Sequence, residues 1–143
     1  MRVIIKCDGG CASGGAVAAG AAIAYDESGR ELGRRAKFLT GVTTPVAEYM
    51  GLLTGLQLAI DHGATSVIAW MDAELVVRQV DGRYRCRNER LRPMLGLVKS
   101  YMARFDHAEV KELPRAGKHN KRRHTNADAD ALATECMSAR MDL

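Results

Sequence analysis

The sequence predicts a single α/β domain spanning 1–143: a mixed five-stranded sheet, its first three strands antiparallel, with helices on both faces. Three observations carry this expectation. The chain opens on a Val/Ile-rich run followed by two more short apolar runs separated by turn residues, as in an antiparallel meander. Amphipathic or apolar helical stretches then alternate with apolar runs, the pattern of parallel strands joined by helical crossovers. At 143 residues the chain is long enough to bury roughly 70% of the surface it exposes when unfolded, which suits one core.

Residues 2–8 form the first predicted strand, and Gly9 to Gly20 a loose glycine- and alanine-rich stretch. Ala21–Tyr25 is the second strand, Asp26-Glu27-Ser28-Gly29 the hairpin turn, and Glu31–Leu39 the third strand. Thr44-Pro45 reads as N-cap and first helical residue of a helix to about Asp61. Its buried stripe is Tyr49, Leu52, Leu53, Leu56, Ala59 and Ile60. Gly51 and Gly55, one turn apart, predict close packing of this helix on the sheet, and His62-Gly63 ends it. Ser66–Met71 is apolar throughout, as for a parallel strand covered on both faces. Helices follow at Ala73–Val80 and Asn88–Phe105, the latter with Leu91, Leu95, Val98 and Met102 on one side. A fifth strand at Glu109–Leu113, a polar basic loop over Pro114–Thr125, and a helix capped by Thr125 or Asn126 and reaching about Met141 complete the reading. Strands one, four and five are expected to be parallel, with right-handed crossovers.

No apolar run approaches the roughly 20 residues of a membrane span, and the N-terminus lacks the charged lead and apolar core of a secretory leader. A soluble, cytoplasmic protein is expected, monomeric and without an obligate protein partner. The four cysteines (Cys7, Cys11, Cys86 and Cys136) contain no CxxC pair, which argues against a zinc ribbon or a thioredoxin-like motif. The net charge is +4, unevenly spread: residues 1–72 carry six Lys/Arg against seven Asp/Glu, residues 73–143 fifteen against ten. Arg83, Arg85, Arg87, Arg90 and Arg92, then Lys118, Lys121, Arg122 and Arg123, suggest a polyanion partner; a solvated basic face is the alternative.

Four acids stand in apolar settings. Asp8 ends the first strand before Gly9-Gly10, Glu48 lies early in an apolar helix, Asp72 follows the fourth strand, and Asp130 lies in the first turn and a half of the last helix. Asp8 and Asp72, at the C-terminal ends of neighbouring parallel strands, emerge at one edge of the sheet, where open sheets place their chemistry. Each acid also has a local reading: Asp8 as a turn residue, Glu48 as a complement to its helix dipole, Asp72 as an N-cap, Asp130 as a solvated neighbour of Asp128. Taken together, four acids without an evident basic partner point to a hard divalent cation, which takes oxygen ligands.

The combination resembles the ribonuclease H type 1 family. The strand ending Cys7-Asp8-Gly9-Gly10, the helix opening Ala47-Glu48-Tyr49-Met50-Gly51-Leu52-Leu53, the run Met71-Asp72-Ala73-Glu74-Leu75, and Asn126-Ala127-Asp128-Ala129-Asp130-Ala131-Leu132-Ala133 match its four motifs in order. The resemblance implies an RNase H-like fold and an endonuclease that hydrolyses the RNA strand of RNA–DNA hybrids, leaving 5′-phosphates, with two Mg²⁺ ions or Mn²⁺ in their place. Two cations about 3.5–4 Å apart activate a water on one side and stabilise the leaving oxygen on the other. Asp8 is then the shared ligand, Glu48 and Asp72 complete the leaving-group metal, and Asp130 the nucleophile metal.

Substrate contacts implied by the resemblance are Gly9 and Gly10 approaching the sugar, whose 2′-hydroxyl marks RNA. Thr43 and Thr44 stand where relatives carry Asn-Asn and would reach a phosphate; Arg83, Arg85 and Arg87 would hold the DNA strand, and Asn126 is counted with the substrate contacts. A loop histidine assisting proton transfer is expected at His119 rather than His124, with Lys118 or Lys121 as substitutes. Cleavage of double-stranded RNA by the same fold, and a non-catalytic hybrid-binding module, are the competing readings.

Overall fold

The structure, a computed structural model, describes residues 1–113 and 126–143; the expectations for the loop Pro114–Thr125, His119 and His124 included, lie outside the described residues. Five strands, β1 (Arg2–Ala12), β2 (Val17–Tyr25), β3 (Glu31–Leu39), β4 (Ser66–Met71) and β5 (His107–Glu112), form one sheet in the order β3-β2-β1-β4-β5. The helices are α1 (Thr44–Asp61), α2 (Glu74–Val80), α3 (Arg92–Met102) and α4 (Ala127–Ala139). β1 pairs antiparallel with β2 and parallel with β4, and β4 parallel with β5, as the meander and crossovers predict. No helix among the described residues is long and apolar enough to cross a membrane.

The core has two unequal layers. On one face α1, α2 and α3 pack Tyr49, Leu52, Leu56, Val76, Val77 and Val98 over Val3, Ile5, Cys7, Val67, Ala69 and Met71. On the other, α4 sets Leu132, Ala133 and Cys136 on Ala19, Ala21, Ile23 and Ala36. The alanine-rich β2 is buried from Val17 to Ala24, its short side chains letting helices approach on both sides. β4 departs from expectation: Val67, Ala69 and Met71 are buried, but Ile68 and Trp70 are only half-buried, because α4 lies over β1–β3 and not over β4.

The first hairpin is also different. β1 runs four residues beyond Asp8, pairing Gly9 with Gly20 and Ala12 with Val17, and the reversal is a single 3₁₀ turn at Ser13–Gly15. Gly9 and Gly10 therefore form strand, not turn. For Gly9 the requirement is steric: a Cβ there would collide with the Ala47 carbonyl, as one on Gly51 would with the Asp8 carbonyl. α1 thus rests directly on the β1 backbone at the level of Asp8.

Other boundaries shift for local reasons. Thr43, not Thr44, is the α1 N-cap, and Pro45 stands within the first turn. α3 begins at Arg92 rather than Asn88, since Pro93 has no N–H to bond back and is suited only to a first turn. β5 starts at His107, in register with Ser66. α4 stops at Ala139, where Arg140 turns left-handed (φ 53°). The chain then runs along β3: Ala36 and Leu143 exchange both backbone hydrogen bonds, at 2.9 and 3.0 Å.

Candidate active site

The parallel ladder of β1 with β4 ends at the pair Lys6–Trp70, and Asp8 stands two residues beyond it. It is therefore not at the end of its strand but at the end of its parallel pairing, which is the edge that matters. Asp8 pairs with Ala21, a residue packed under α4, so its side chain shares the α4 face of the sheet. Asp72 follows β4 by one residue. Glu48 comes from the opposite face, on the second turn of α1 rather than the first, where the Gly9 and Gly51 contacts seat that helix against the strand. Asp130 is the fourth residue of α4. The acids approach one edge from both layers. Their depth differs: Asp8 and Glu48 are half-buried, Asp72 and Asp130 exposed.

The electrostatics report their proximity. The Asp8 carboxyl is pushed up to about 7 by burial first, then by the Asp72 charge, with Asp130 adding through a side-chain hydrogen bond and its charge; the Gly9 N–H opposes this. The Glu48 carboxyl is likewise pushed up to about 7, by burial and then by Asp72. No ion pair among the described residues reaches any of the four acids. Nor do three Asp, Glu, His or Cys side chains close around one point among those residues. An open arrangement of hard oxygen donors still suits Mg²⁺, which keeps several waters and takes few protein carboxylates. The donor set fits a divalent cation; one placed there would offset the burial, and with it the Asp72 repulsion, that raise both carboxyls.

The remaining expected residues fall into distinct settings. Gly10 has open space around its Cα, whereas Gly9 is spent on α1 packing. Thr43 and Thr44 are exposed at the head of α1 and, with Cys11, Ser13 and Val42, line a cavity of about 350 Å³. Arg83 is turned to Asp81, Nε donating at 2.8 Å and Nη2 lying at 2.7 Å, so its guanidinium is already engaged. Arg85 and Arg87 are exposed in an irregular segment without ion pairs among the described residues. That segment follows the far end of α2, roughly 10 Å of helix from Asp72. Asn126 is buried, its Nδ2 donating to the Cys7 carbonyl at 2.9 Å and lying 3.5 Å from Asp72 Oδ1. It holds the expected N-cap position of α4 but makes no side-chain cap bond; Thr125, the other expected cap, lies outside the described residues.

Sequence reasoning also missed a buried strut. The Tyr49 hydroxyl donates to Gln79 Oε1 at 2.6 Å, joining the turn of α1 that carries Glu48 to the helix after Asp72. The available signal was a glutamine among Val76, Val77 and Val80 on a short apolar helix.

The chain matches the family described as Reverse transcriptase-like over residues 6–136. It is 31% identical over 140 residues to the Bifunctional protein Rv2228c of Mycobacterium tuberculosis, covering 97% of this chain and 36% of that protein. It is 30% identical over 111 residues to ribonuclease HI of Halobacterium salinarum, covering 78% of this chain and 48% of that protein. The chain thus spans well under two thirds of the length of either relative. Among solved structures, RNase H1 of Halobacterium salinarum superposes with a TM-score of 0.87 at 26% identity, over 97% of this chain and 99% of that one. The N-terminal RNase H domain of the Mycobacterium tuberculosis protein gives 0.86 at 29% identity, over 97% and 95%. LC11-RNase H1 in complex with an RNA/DNA hybrid gives 0.83 at 25% identity, over 96% and 97%.

Proposed function

From the premise that this chain belongs to the reverse transcriptase-like family, and within it to the ribonuclease H type 1 group, we propose that it is a divalent-metal-dependent endoribonuclease cutting the RNA strand of RNA–DNA hybrids. What supports the reading is that Asp8 and Glu48 are both raised to about 7, by burial and then by the charge of Asp72, with Asp130 also acting on Asp8. Acids that no ion pair reaches among the described residues suit a cation.

In this reading Asp8, Glu48, Asp72 and Asp130 would hold two Mg²⁺ ions, Asp8 being the candidate to serve both because a strand seated under α1 is the most rigid of the four supports. When bound, such ions polarise the scissile phosphate and make a bound water nucleophilic near neutral pH. The chain's own residues supply the rest. Gly10 leaves room for close approach of a sugar, and the Thr43 and Thr44 hydroxyls at the head of α1 can donate to a phosphate. Arg85 and Arg87 face solvent and suit the DNA strand's phosphates better than Arg83, which Asp81 already holds. His119 stays the proposed proton-transfer partner.

The LC11 relative's complex with an RNA/DNA hybrid supports the hybrid as substrate. The test is cleavage of end-labelled RNA–DNA, RNA–RNA and DNA–DNA duplexes with Mg²⁺ and with chelator. Mg²⁺-dependent cutting of the RNA strand of the hybrid is expected. Absence of metal-dependent cutting of any duplex sinks the enzyme reading, and preference for RNA–RNA replaces the substrate.

A further inference from the structure

We propose that Asn126 is a positioning residue that ties together the supports of Asp8, Asp72 and Asp130, and does not contact nucleic acid. The inference rests on reading this edge as a metal site. Asn126 is 8% exposed, with its amide turned inward. Both neighbours of Nδ2 are acceptors, the Cys7 carbonyl at 2.9 Å and, at longer range, Asp72 Oδ1 at 3.5 Å, so the amide orientation is fixed by chemistry. The main-chain carbonyl of the same residue accepts the Asp130 N–H at 2.8 Å. The side chain therefore touches the strand position next to Asp8 and the Asp72 carboxylate, at the head of the helix whose first main-chain bond runs to Asp130.

Its acceptor side strengthens the argument. Asn126 Oδ1 is buried and has no hydrogen-bond partner among the described residues. A buried, unsatisfied oxygen is unfavourable, and a side chain serving only as a helix cap would use that oxygen on the first-turn N–H groups of α4. Here no such bond forms. The amide is held for what it donates. Without it, α4 loses its side-chain bond to β1, and Asp72 loses a neutral donor that steadies its carboxylate while leaving its charge for a cation.

The test compares wild type, Asn126→Ala, Asn126→Ser and a control, Cys136→Ala, which thins α4 packing away from the site. Mn²⁺ binding to the metal-free proteins is measured by calorimetry, and kcat and KM on a hybrid at saturating metal. Asn126→Ala should weaken Mn²⁺ binding and lower kcat by roughly 10–100-fold, with KM within about twofold of wild type. Serine, which keeps one donor, should fall between, and Cys136→Ala should bind Mn²⁺ as wild type. A raised KM with unchanged kcat and Mn²⁺ affinity would make Asn126 a substrate contact and overturn the proposal, as would no change in any of the three. If the alanine variant does not fold, the serine variant decides: weakened Mn²⁺ binding supports, unchanged binding overturns. Wild type that binds Mn²⁺ but cuts no duplex removes the nuclease reading while the Mn²⁺ series still judges Asn126; wild type that binds no Mn²⁺ overturns both.

Discussion

Two populations of carboxylate share this molecule and are held in opposite ways. On the surface, Asp26, Glu31, Asp61, Asp81 and Asp142 are all held below their ordinary range by donors: Ser28 on Asp26, Arg34 on Glu31, Gln57 and then Arg35 on Asp61, Arg83 on Asp81, the Phe38 N–H on Asp142. At the sheet edge Asp8 and Glu48 stand far above it, through burial and the company of Asp72. The surface acids favour the folded state once ionised. The edge acids favour it while protonated, so ionisation there works against the fold. Among the described residues the scattered acids have strong donors, whereas no ion pair reaches the edge acids, and the stress lies where a ligand can relieve it.

The largest expected effect comes from neutralising an edge acid. Asp8→Asn should lower hybrid cleavage by on the order of 10³-fold or more, as for a residue that acts only as part of a set. A rate within tenfold of wild type would break the comparison, because Asp8 would then be one more structural acid. Next is the seat of that acid. Gly51→Ala drives a Cβ into the Asp8 carbonyl and should cost about 1–3 kcal/mol or more in urea denaturation, since the opposing atom is backbone and cannot swing away. Wild-type stability in that variant would mean α1 does not hold Asp8 by close contact.

The third effect has a sign that depends on pH. With its carboxyl raised from 3.8 to about 7, Asp8 contributes stability that is present below about pH 4 and lost as pH rises through 7. Metal-free Asp8→Asn should therefore melt roughly 2–5 °C above wild type at pH 7.5, with the gap closing by pH 4. Mg²⁺ should raise the wild-type melting point at pH 7.5 and not that of the variant. A gap that is constant with pH would remove the electrostatic account. The smallest effect belongs to the other population: Glu31→Gln, at an exposed pair with Arg34, should change stability by no more than about 0.5 kcal/mol after solvent screening. A loss of several kcal/mol would erase the contrast from the surface side.

How much of this is legible in the sequence follows from the range of each interaction. The meander and the parallel pairing of strands one, four and five rest on local apolar patterns and turn residues, and they appear as expected. The four acids stand out because each interrupts or follows an apolar run. Pro93 announces the true start of α3, a local signal that the amphipathic pattern from Asn88 obscures. Gly9 reads as part of a turn because the reason for glycine there is α1, a distant part of the chain. Asn126 reads as a helix cap for the same reason: its partners, Cys7 and Asp72, are invisible from residues 120 to 130. Arg83 reads as a nucleic-acid contact in the sequence, and the sequence alone does not show that its guanidinium also pairs with Asp81, two residues earlier.

The bond from Asn126 to the Cys7 carbonyl joins residues 119 positions apart. Closing so long a loop is an entropic barrier that must be met before the contact returns anything, which slows such contacts relative to hairpins and neighbouring helices. β1, β2, β3 and α1 are contiguous in the chain and can assemble early, bringing Asp8 and Glu48 together. Asp130 arrives with α4, the last element. During synthesis the Asp72 charge can therefore act on Asp8 and Glu48 once β4 has joined β1, and only the smaller contribution of Asp130 to Asp8 waits until residues 126–130 have emerged.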